Sequence, residues 1–223
     1  MIDITVNDNI YQEILNGDRG DDVIYGEDGD DRIDGGHDND LLDGGMGNDL
    51  ILGGKGDDII DGGMGSDRID GGHGNDIVTA DSADWSRDYI NKNGHQKAAV
   101  DGGKDYDVLV VNEDVDTTGK SIMNFEEIHA NGNEVTLSLW EAWRESRNDD
   151  NDGNNNVATV TVVDASALHI DLDNWSQDMN ASDEDTFVFT KGSRTVVVEL
   201  DDSSDADDED DVMGVTDGIV DFI

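Results

Sequence analysis

From Gly17 to Thr79 one nine-residue unit is written seven times in unbroken register: GDRGDDVIY, GEDGDDRID, GGHDNDLLD, GGMGNDLIL, GGKGDDIID, GGMGSDRID and GGHGNDIVT. The units reduce to G-G-x-G-x-D-x-U-x, with U a large aliphatic residue. Position six is always aspartate, at Asp22, Asp31, Asp40, Asp49, Asp58, Asp67 and Asp76. Position eight is always aliphatic, at Ile24, Ile33, Leu42, Ile51, Ile60, Ile69 and Val78. Glycines at positions one, two and four let the backbone turn and point its carbonyls at a common centre. What remains is a short strand in which position eight faces inward while positions seven and nine face out.

A strand that short buries nothing alone, so units must stack. Two units make one coil, coils pile roughly 4.8 Å apart, and two parallel sheets enclose a thin aliphatic core. Units one, three, five and seven share one edge, and units two, four and six the other. One inward aliphatic per unit falls well short of the conformational entropy of ordering the glycine-rich turns. Aspartates piled above one another also repel unless a hard cation lies between them. Calcium suits such a place because it accepts six to eight carboxylate and carbonyl oxygens in tolerant geometry; magnesium demands a tighter octahedron. A flexible Gly/Asp linker would not hold an aliphatic residue in strict nine-residue phase.

On these residues the segment resembles the repeats-in-toxin (RTX) family, whose hemolysin-type calcium-binding repeats form a right-handed parallel β-roll. A degenerate eighth unit, GGKDYDVLV from Gly102 to Val110, keeps Asp107 and Leu109 at positions six and eight. The resemblance implies that each ion sits between same-edge turns. One turn then gives the carbonyls of positions two and four, the next those of positions one and three, and each gives its aspartate. Carried over, one edge holds ions bracketed by Asp22 and Asp40, Asp40 and Asp58, and Asp58 and Asp76. The other holds Asp31 with Asp49 and Asp49 with Asp67, making five full sites with room for half-sites at the ends. The implied carbonyls are those of Asp18 and Gly20; Glu27 and Gly29; Gly35, Gly36, His37 and Asp38; Gly44, Gly45, Met46 and Gly47; Gly53, Gly54, Lys55 and Gly56; Gly62 and Met64; and Gly71 and His73. Asp18, Glu27, Asp28 and Asp38 depart from the pattern, but a carbonyl ligand survives a change of side chain.

Composition agrees. Fifty-six acidic residues against thirteen basic ones leave a formal charge of −43, so the chain should expand through self-repulsion when divalent ions are removed. The same charge argues against nucleic acid and anionic membranes as partners; a salt-adapted acidic surface is the alternative reading of the excess outside the repeats. The absence of cysteine excludes disulfides and thiolate metal sites. No apolar run reaches membrane-span length, and the opening MIDITVNDNI shows neither the basic nor the apolar region of a cleavable signal peptide. The ending Gly218–Ile223 is similar to the uncleaved C-terminal signal of type I secretion substrates.

Beyond Thr79 the pattern breaks. Strands are expected at Val108–Val111, Glu134–Leu139, Val157–Val163, Leu168–Leu172, Thr186–Thr190 and Thr195–Leu200, with a short helix at Leu139–Arg147 carrying Trp140 and Trp143. The expected fold is all-β, a right-handed parallel β-roll followed by a β-rich capping region. Its expected parts are an N-terminal cap (1–16), the seven-repeat roll (17–79), an insertion (80–101), a degenerate repeat with a β-rich C-terminal region (102–200), and an acidic loop with the secretion signal (201–223). Outward position seven carries Val23, Leu41, Ile59 and Ile77 on one edge and Arg32, Leu50 and Arg68 on the other, so an exposed aliphatic ladder is expected, which either packs against residues 80–223 or a second copy or is a sheet face that tolerates aliphatics through strand propensity alone.

Other constellations are weaker. Asn148, Asp150, Asp152 and Gly153 open like an EF-hand loop, but its twelfth position is Thr159 instead of a bidentate glutamate. Gly119-Lys120-Ser121 lacks the earlier glycine of a phosphate-binding loop, that place being Asp114. His37 and His73 sit at the variable third position, two coils apart, and read as solvated. His95, His129 and His169 have no partner at ligand spacing. There is no H-E-x-x-H, G-x-S-x-G or cysteine nucleophile, so no catalytic function is expected. The leading expectation is a secreted, extracellular protein or module that folds on binding about five or more calcium ions after type I export. The alternative is a calcium-dependent structural or adhesive surface component that self-associates or bridges partners. A third reading, the export module of a larger hydrolase, is disfavoured by the sixteen residues that precede the first repeat.

Overall fold

The computed structural model describes residues 3–5, 12–84, 89–90, 96–97, 99–116, 122–138, 157–163, 165, 167–171, 176–177, 186–191, 194–201 and 220–222. The helix expected at Leu139–Arg147, the opening of the EF-hand-like loop, the Gly119–Ser121 stretch and the acidic loop at 202–211 lie outside these. Among the described residues there is no α-helix, and strands alternate with tight turns. Two compact units are present: Met1–Val110 with Lys120–Phe125, and Val111–Gly119 with Glu126–Ile223.

In the first unit the strands are β1 (Asp3–Thr5), β2 (Ile14–Asn16), β3 (Val23–Tyr25), β4 (Arg32–His37), β5 (Leu41–Asp43), β6 (Leu50–Lys55), β7 (Ile59–Asp61), β8 (Arg68–His73), β9 (Ile77–Thr79), β10 (Tyr89–Ile90), β11 (Gln96–Lys97), β12 (Val100–Lys104), β13 (Val108–Val110) and, beyond β14 of the second unit, β15 (Ile122–Met123). Successive strands of the repeat go to alternate sheets. One sheet runs β1-β3-β5-β7-β9-β13 and the other β15-β12-β8-β6-β4-β2, every neighbour parallel. β10 and β11 form a separate antiparallel pair.

The register places equal repeat positions on top of one another. Ile24, Leu42, Ile60, Val78 and Leu109 stack in one sheet; Leu15, Ile33, Ile51, Ile69 and Val100 stack in the other. All ten are buried, which makes position eight the whole aliphatic core of the repeats. The two sheets are not equivalent. The repeat leaves three residues per strand, as β3, β5, β7 and β9 show, but β4, β6 and β8 run for six. There the ladder continues past the first turn glycine, pairing Gly36 with Gly54 and His37 with Lys55; on the opposite turns only isolated bridges join Asp28, Met46 and Met64.

Outside the seven units the winding resumes before the degenerate repeat. Val100 and Asp101, within the stretch read as an insertion, pair with Ile69 and Asp70, and Gly103 pairs with Gly72. Val108 then pairs with Ile77, so the eighth unit stacks on the seventh although equal positions lie 31 residues apart instead of 18. The aliphatic ladder at position seven stands in register as Val23, Leu41, Ile59 and Ile77; Leu41, Ile59 and Ile77 are 38 %, 51 % and 41 % exposed.

The second unit holds β14 (Val115–Asp116), β16 (Glu127–His129), β17 (Glu134–Ser138), β18 (Val157–Val163), β19 (Ala167–Asp171), β20 (Ser176–Gln177), β21 (Thr186–Lys191), β22 (Arg194–Asp201) and β23 (Val220–Phe222). Of these, β17, β18, β19, β21 and β22 match expected strands to within a residue, while β14, β16, β20 and β23 were not expected from the sequence. Parallel pairing joins β16 to β18 and β18 to β22, and the hairpin β21–β22 adds an antiparallel edge extended by β20. A second parallel sheet runs β14-β17-β19-β23. Val160, Val162, Phe189, Val196 and Val198 are buried along the first, and Val135, Leu137, Leu168 and Ile170 along the second. The ending that is similar to a secretion signal is paired here, with Val220 opposite Leu168 and Phe222 opposite Ile170.

Ile51 is fully buried between Ile33 and Ile69. Ile51→Ala is therefore expected to cost about 2–5 kcal/mol in denaturant unfolding of the calcium-loaded chain, whereas Ile59→Lys, on the exposed face of the other sheet, stays within about 0.5 kcal/mol. Equal losses from the two substitutions would remove position eight from the core.

Candidate metal centres

Position six stands at the end of each turn, just before its strand, and every aspartate there is buried, none more than 3 % exposed. Their Oδ1 atoms form two columns. In the first, the amides of Asp22, Asp40, Asp58 and Asp76 donate to Oδ1 of Asp40, Asp58, Asp76 and Asp107 at 2.8, 2.8, 2.9 and 2.8 Å. In the second, the amides of Glu13, Asp31, Asp49 and Asp67 donate to Asp31, Asp49, Asp67 and Asp84 at 2.8, 2.7, 2.7 and 2.8 Å. One oxygen of each carboxylate thus stitches a coil to the coil before it. The other oxygen, Oδ2 of Asp31, Asp40, Asp49, Asp58, Asp67 and Asp76, is buried and accepts no hydrogen bond.

The turn glycines show where that second oxygen points. A Cβ on Gly35 would lie 2.5 Å from Oδ2 of Asp40 and 2.8 Å from the carbonyl of Gly53, one coil on. The same two oxygens, the unit's own Oδ2 and the next coil's position-one carbonyl, meet at Gly17, Gly26, Gly44, Gly53 and Gly71. The position-two carbonyls of Asp18, Glu27, Gly36, Gly45 and Gly54 face the glycine one coil on, as do the position-four carbonyls of Gly29, Asp38, Gly47 and Gly56. Position-three carbonyls of His37, Met46, Met64 and His73 accept the amides of Gly20, Gly29, Gly47 and Gly56, and each keeps a second lone pair. Lys55 continues the ladder beside His37. The departures from glycine keep the turn conformation: Asp18, Glu27 and Asp38 have φ of 69°, 69° and 74°, the left-handed region that aspartate tolerates better than most residues and that Glu27 adopts without that advantage.

This donor set fits calcium. Among the described residues no three His, Cys, Asp or Glu side chains gather at one point, so a site here takes two carboxylates and fills its remaining coordination with carbonyls, the mixture of hard oxygens calcium accepts. Electrostatics ask for a cation. Burial pushes Asp49, Asp58 and Asp76 up to about 7; the amide that each accepts works against the shift, and neighbouring aspartates add to it. Asp67, facing Asp84, is pushed up to about 8, again mainly by burial.

Two features of the site escaped the sequence reading. Position five, treated above as variable, is Asp, Asn or Ser in all seven units. It forms an outer ladder running the other way, from the amide of each coil to the side chain of the coil before. Asn39 donates to Asp21, Asp57 to Asn39 and Asn75 to Asp57; Asn48 donates to Asp30 and Ser66 to Asn48. The uniform chemistry of that position was the available signal. Asp84, the second, falls outside the nine-residue phase and had none. His37 and His73 are separated by Lys55 on adjacent strands, and His73 Nε2 lies 3.4 Å from Lys104 Nζ, so the two imidazoles do not meet.

Residues 8–42 and 43–78 each match the RTX calcium-binding nonapeptide repeat family, which is described as four copies of the repeat. No curated protein and no solved structure matches the chain. RTX nonapeptide repeats bind calcium in multiple copies, and the repeat is a structural calcium-binding module.

The raised aspartates set the sign of a pH effect. A carboxylate with a folded value near 7 and an unfolded value near 3.8 binds its proton more tightly when folded. Its contribution is fully present below pH 3.8 and is lost as pH rises through 7. In chelator, β-structure by circular dichroism should be greater at pH 4.5 than at pH 7.5, and saturating calcium should abolish the difference. Equal chelator spectra at the two pH values would show that the columns do not govern folding. Gly47 supplies a steric check: with φ of 147° and the Gly29 carbonyl where a Cβ would lie, Gly47→Val should lower the calcium-loaded Tm by several degrees or more.

Proposed function

Since residues 8–78 of this chain are RTX calcium-binding nonapeptide repeats, we propose that it is a secreted protein whose roll folds when calcium fills the spaces between its aspartate columns. The observation that carries the reading is the run of buried Oδ2 atoms, from Asp31 to Asp76, that accept no hydrogen bond. Such oxygens oppose folding when nothing positive faces them. Calcium turns the same atoms into ligands, so ion binding becomes folding free energy. Column pairs Asp22–Asp40, Asp40–Asp58, Asp58–Asp76 and Asp76–Asp107 on one edge, and Asp31–Asp49 and Asp49–Asp67 on the other, are the proposed sites. The chain is then extended in low calcium, exported through a type I machinery with the C-terminal residues leading, and folded in the calcium-rich exterior. The similarity of the Gly218–Ile223 ending to type I signals supports this route.

One observation favours a second reading, a calcium-dependent surface or matrix component that associates with its own copies. The exposed ladder Leu41, Ile59 and Ile77 stands on a face whose geometry exists only once the coils are stacked.

Circular dichroism during a calcium titration, with magnesium as control, separates a switch from a permanent scaffold. The expected result is a chain with little β-structure in chelator that gains it cooperatively with calcium and not with equal magnesium. A fully β-structured chain in chelator at pH 7.5 would sink the folding switch. Light scattering on the same samples tests the second reading: calcium-dependent growth in mass, abolished by Leu41→Lys with Ile59→Lys, is what self-association through the ladder requires.

A further inference from the structure

The second column does not end where the repeats end. After Thr79 the chain has no position-one glycine and runs Ala80, Asp81, Ser82, Ala83, Asp84, one residue short of the next position six. Asp84 nevertheless occupies the place of the missing repeat aspartate. It is 1 % exposed, and its Oδ1 accepts the amide of Asp67 at 2.8 Å across 17 residues, where every repeat pair spans 18. The short segment is braced by its own hydrogen bonds. Asp81 N donates to Asp84 Oδ2 at 2.8 Å, Ala83 N to Asp81 Oδ1 at 2.7 Å, and Ser66 Oγ to the Ala83 carbonyl at 2.9 Å.

The cradle at this end differs in kind from those within the repeats. At Gly26 and Gly44 the unit's Oδ2 meets a backbone carbonyl of the next coil. At Gly62 the point a Cβ would occupy lies 3.0 Å from Asp67 Oδ2 and 3.4 Å from Asp84 Oδ2, so a second carboxylate replaces the carbonyl. Asp67 is itself 1 % exposed, and its Oδ2 accepts no hydrogen bond. Two buried carboxylate oxygens aimed at one pocket repel strongly in a low-dielectric setting, and a divalent cation between them removes that repulsion.

We infer that Asp84, from outside the repeats, completes a further calcium site with Asp67 and that the ion there ties residues 80–84 to the end of the roll. The inference rests on the calcium-filled columns proposed above. It adds a site in which both carboxylates meet at the turn glycine, where each turn within the repeats brings one carboxylate and a backbone carbonyl. Within the stacked roll the Asp81–Asp84 turn holds the second carboxylate in place through its own hydrogen bonds.

Calcium bound per full-length chain, counted by native mass spectrometry on wild type, Asp84→Asn and Asp49→Asn, tests it. The expected result is one ion fewer in Asp84→Asn than in wild type, with unchanged calcium-loaded circular dichroism. Calcium is also expected to slow amide exchange of residues 80–84 in wild type at least tenfold, a readout that needs no variant to fold. An unchanged ion count in Asp84→Asn beside a loss in Asp49→Asn would overturn the Asp84 site and leave the columns standing. Exchange at 80–84 indifferent to calcium, while residues 44–58 slow, would overturn it equally. A wild type that binds no calcium would instead overturn the reading of the columns, and this site with it.

Discussion

Everything in the roll depends on a carboxylate with two jobs. Oδ1 of each position-six aspartate accepts the amide of the preceding coil, so deleting the side chain would break the stack. Oδ2 carries the cost of that arrangement. Neighbouring carboxylates in a column are one coil apart, roughly 5 Å, where two unit charges repel by roughly 3–4 kcal/mol at an effective dielectric near 20. A neutral acceptor such as asparagine would hold the coils together without the repulsion. Aspartate at every such position leaves a repulsion that a cation between the coils would remove, and on the function proposed above the stack is conditional on that cation.

The thinness of the core follows from the same choice. With one inward residue per unit, the aliphatic stack from Ile24 to Leu109 and its partner from Leu15 to Val100 is a single side chain deep in each sheet. No layer behind it adds burial. The outer ladder of Asp and Asn at position five adds coil-to-coil hydrogen bonds without further buried charge. It stops at Tyr106, whose amide donates to Asn75 but whose side chain has no oxygen placed as an Asp or Asn would place one.

The repeat made the roll legible because one phase fixes strand, turn, inward face and stacking partner together: once Asp22 and Asp40 occupy the same position on the same edge, their contact follows. Legibility ended where phase ended. Asp84 is displaced by one residue and lies in a stretch with no aliphatic of its own at position eight, so only the fold brings it under Asp67. Val100 was hidden for a similar reason, because the winding resumes two residues before the glycine pair that marks a unit. In the second unit the β-branched runs revealed the strands but not their partners. Val135 pairs with Leu168 and Val160 with Val198, separations of 33 and 38 residues with no turn motif to announce them.

The columns also have a direction. In each, the amide of one coil donates to the carboxylate of the next coil toward the C-terminus, never the reverse. The position-six amide of a coil is therefore satisfied only when the coil after it is present, whereas its position-five amide takes its acceptor from the coil before. The acceptors that close the series, Asp107 in one column and Asp84 in the other, both lie C-terminal to the seven repeats. In the export order proposed above these residues leave the cell before the units they close. Each repeat then emerges to find the buried acceptor of its position-six amide already outside. Emergence in the opposite order would supply the exposed position-five acceptor first and leave the buried position-six amide waiting for an acceptor still inside. The polarity of the buried aspartate columns thus matches the C-terminus-first export proposed above, while the exposed position-five ladder runs against it, and the residues that close the columns, Asp84 and Asp107, stand outside the seven-unit block.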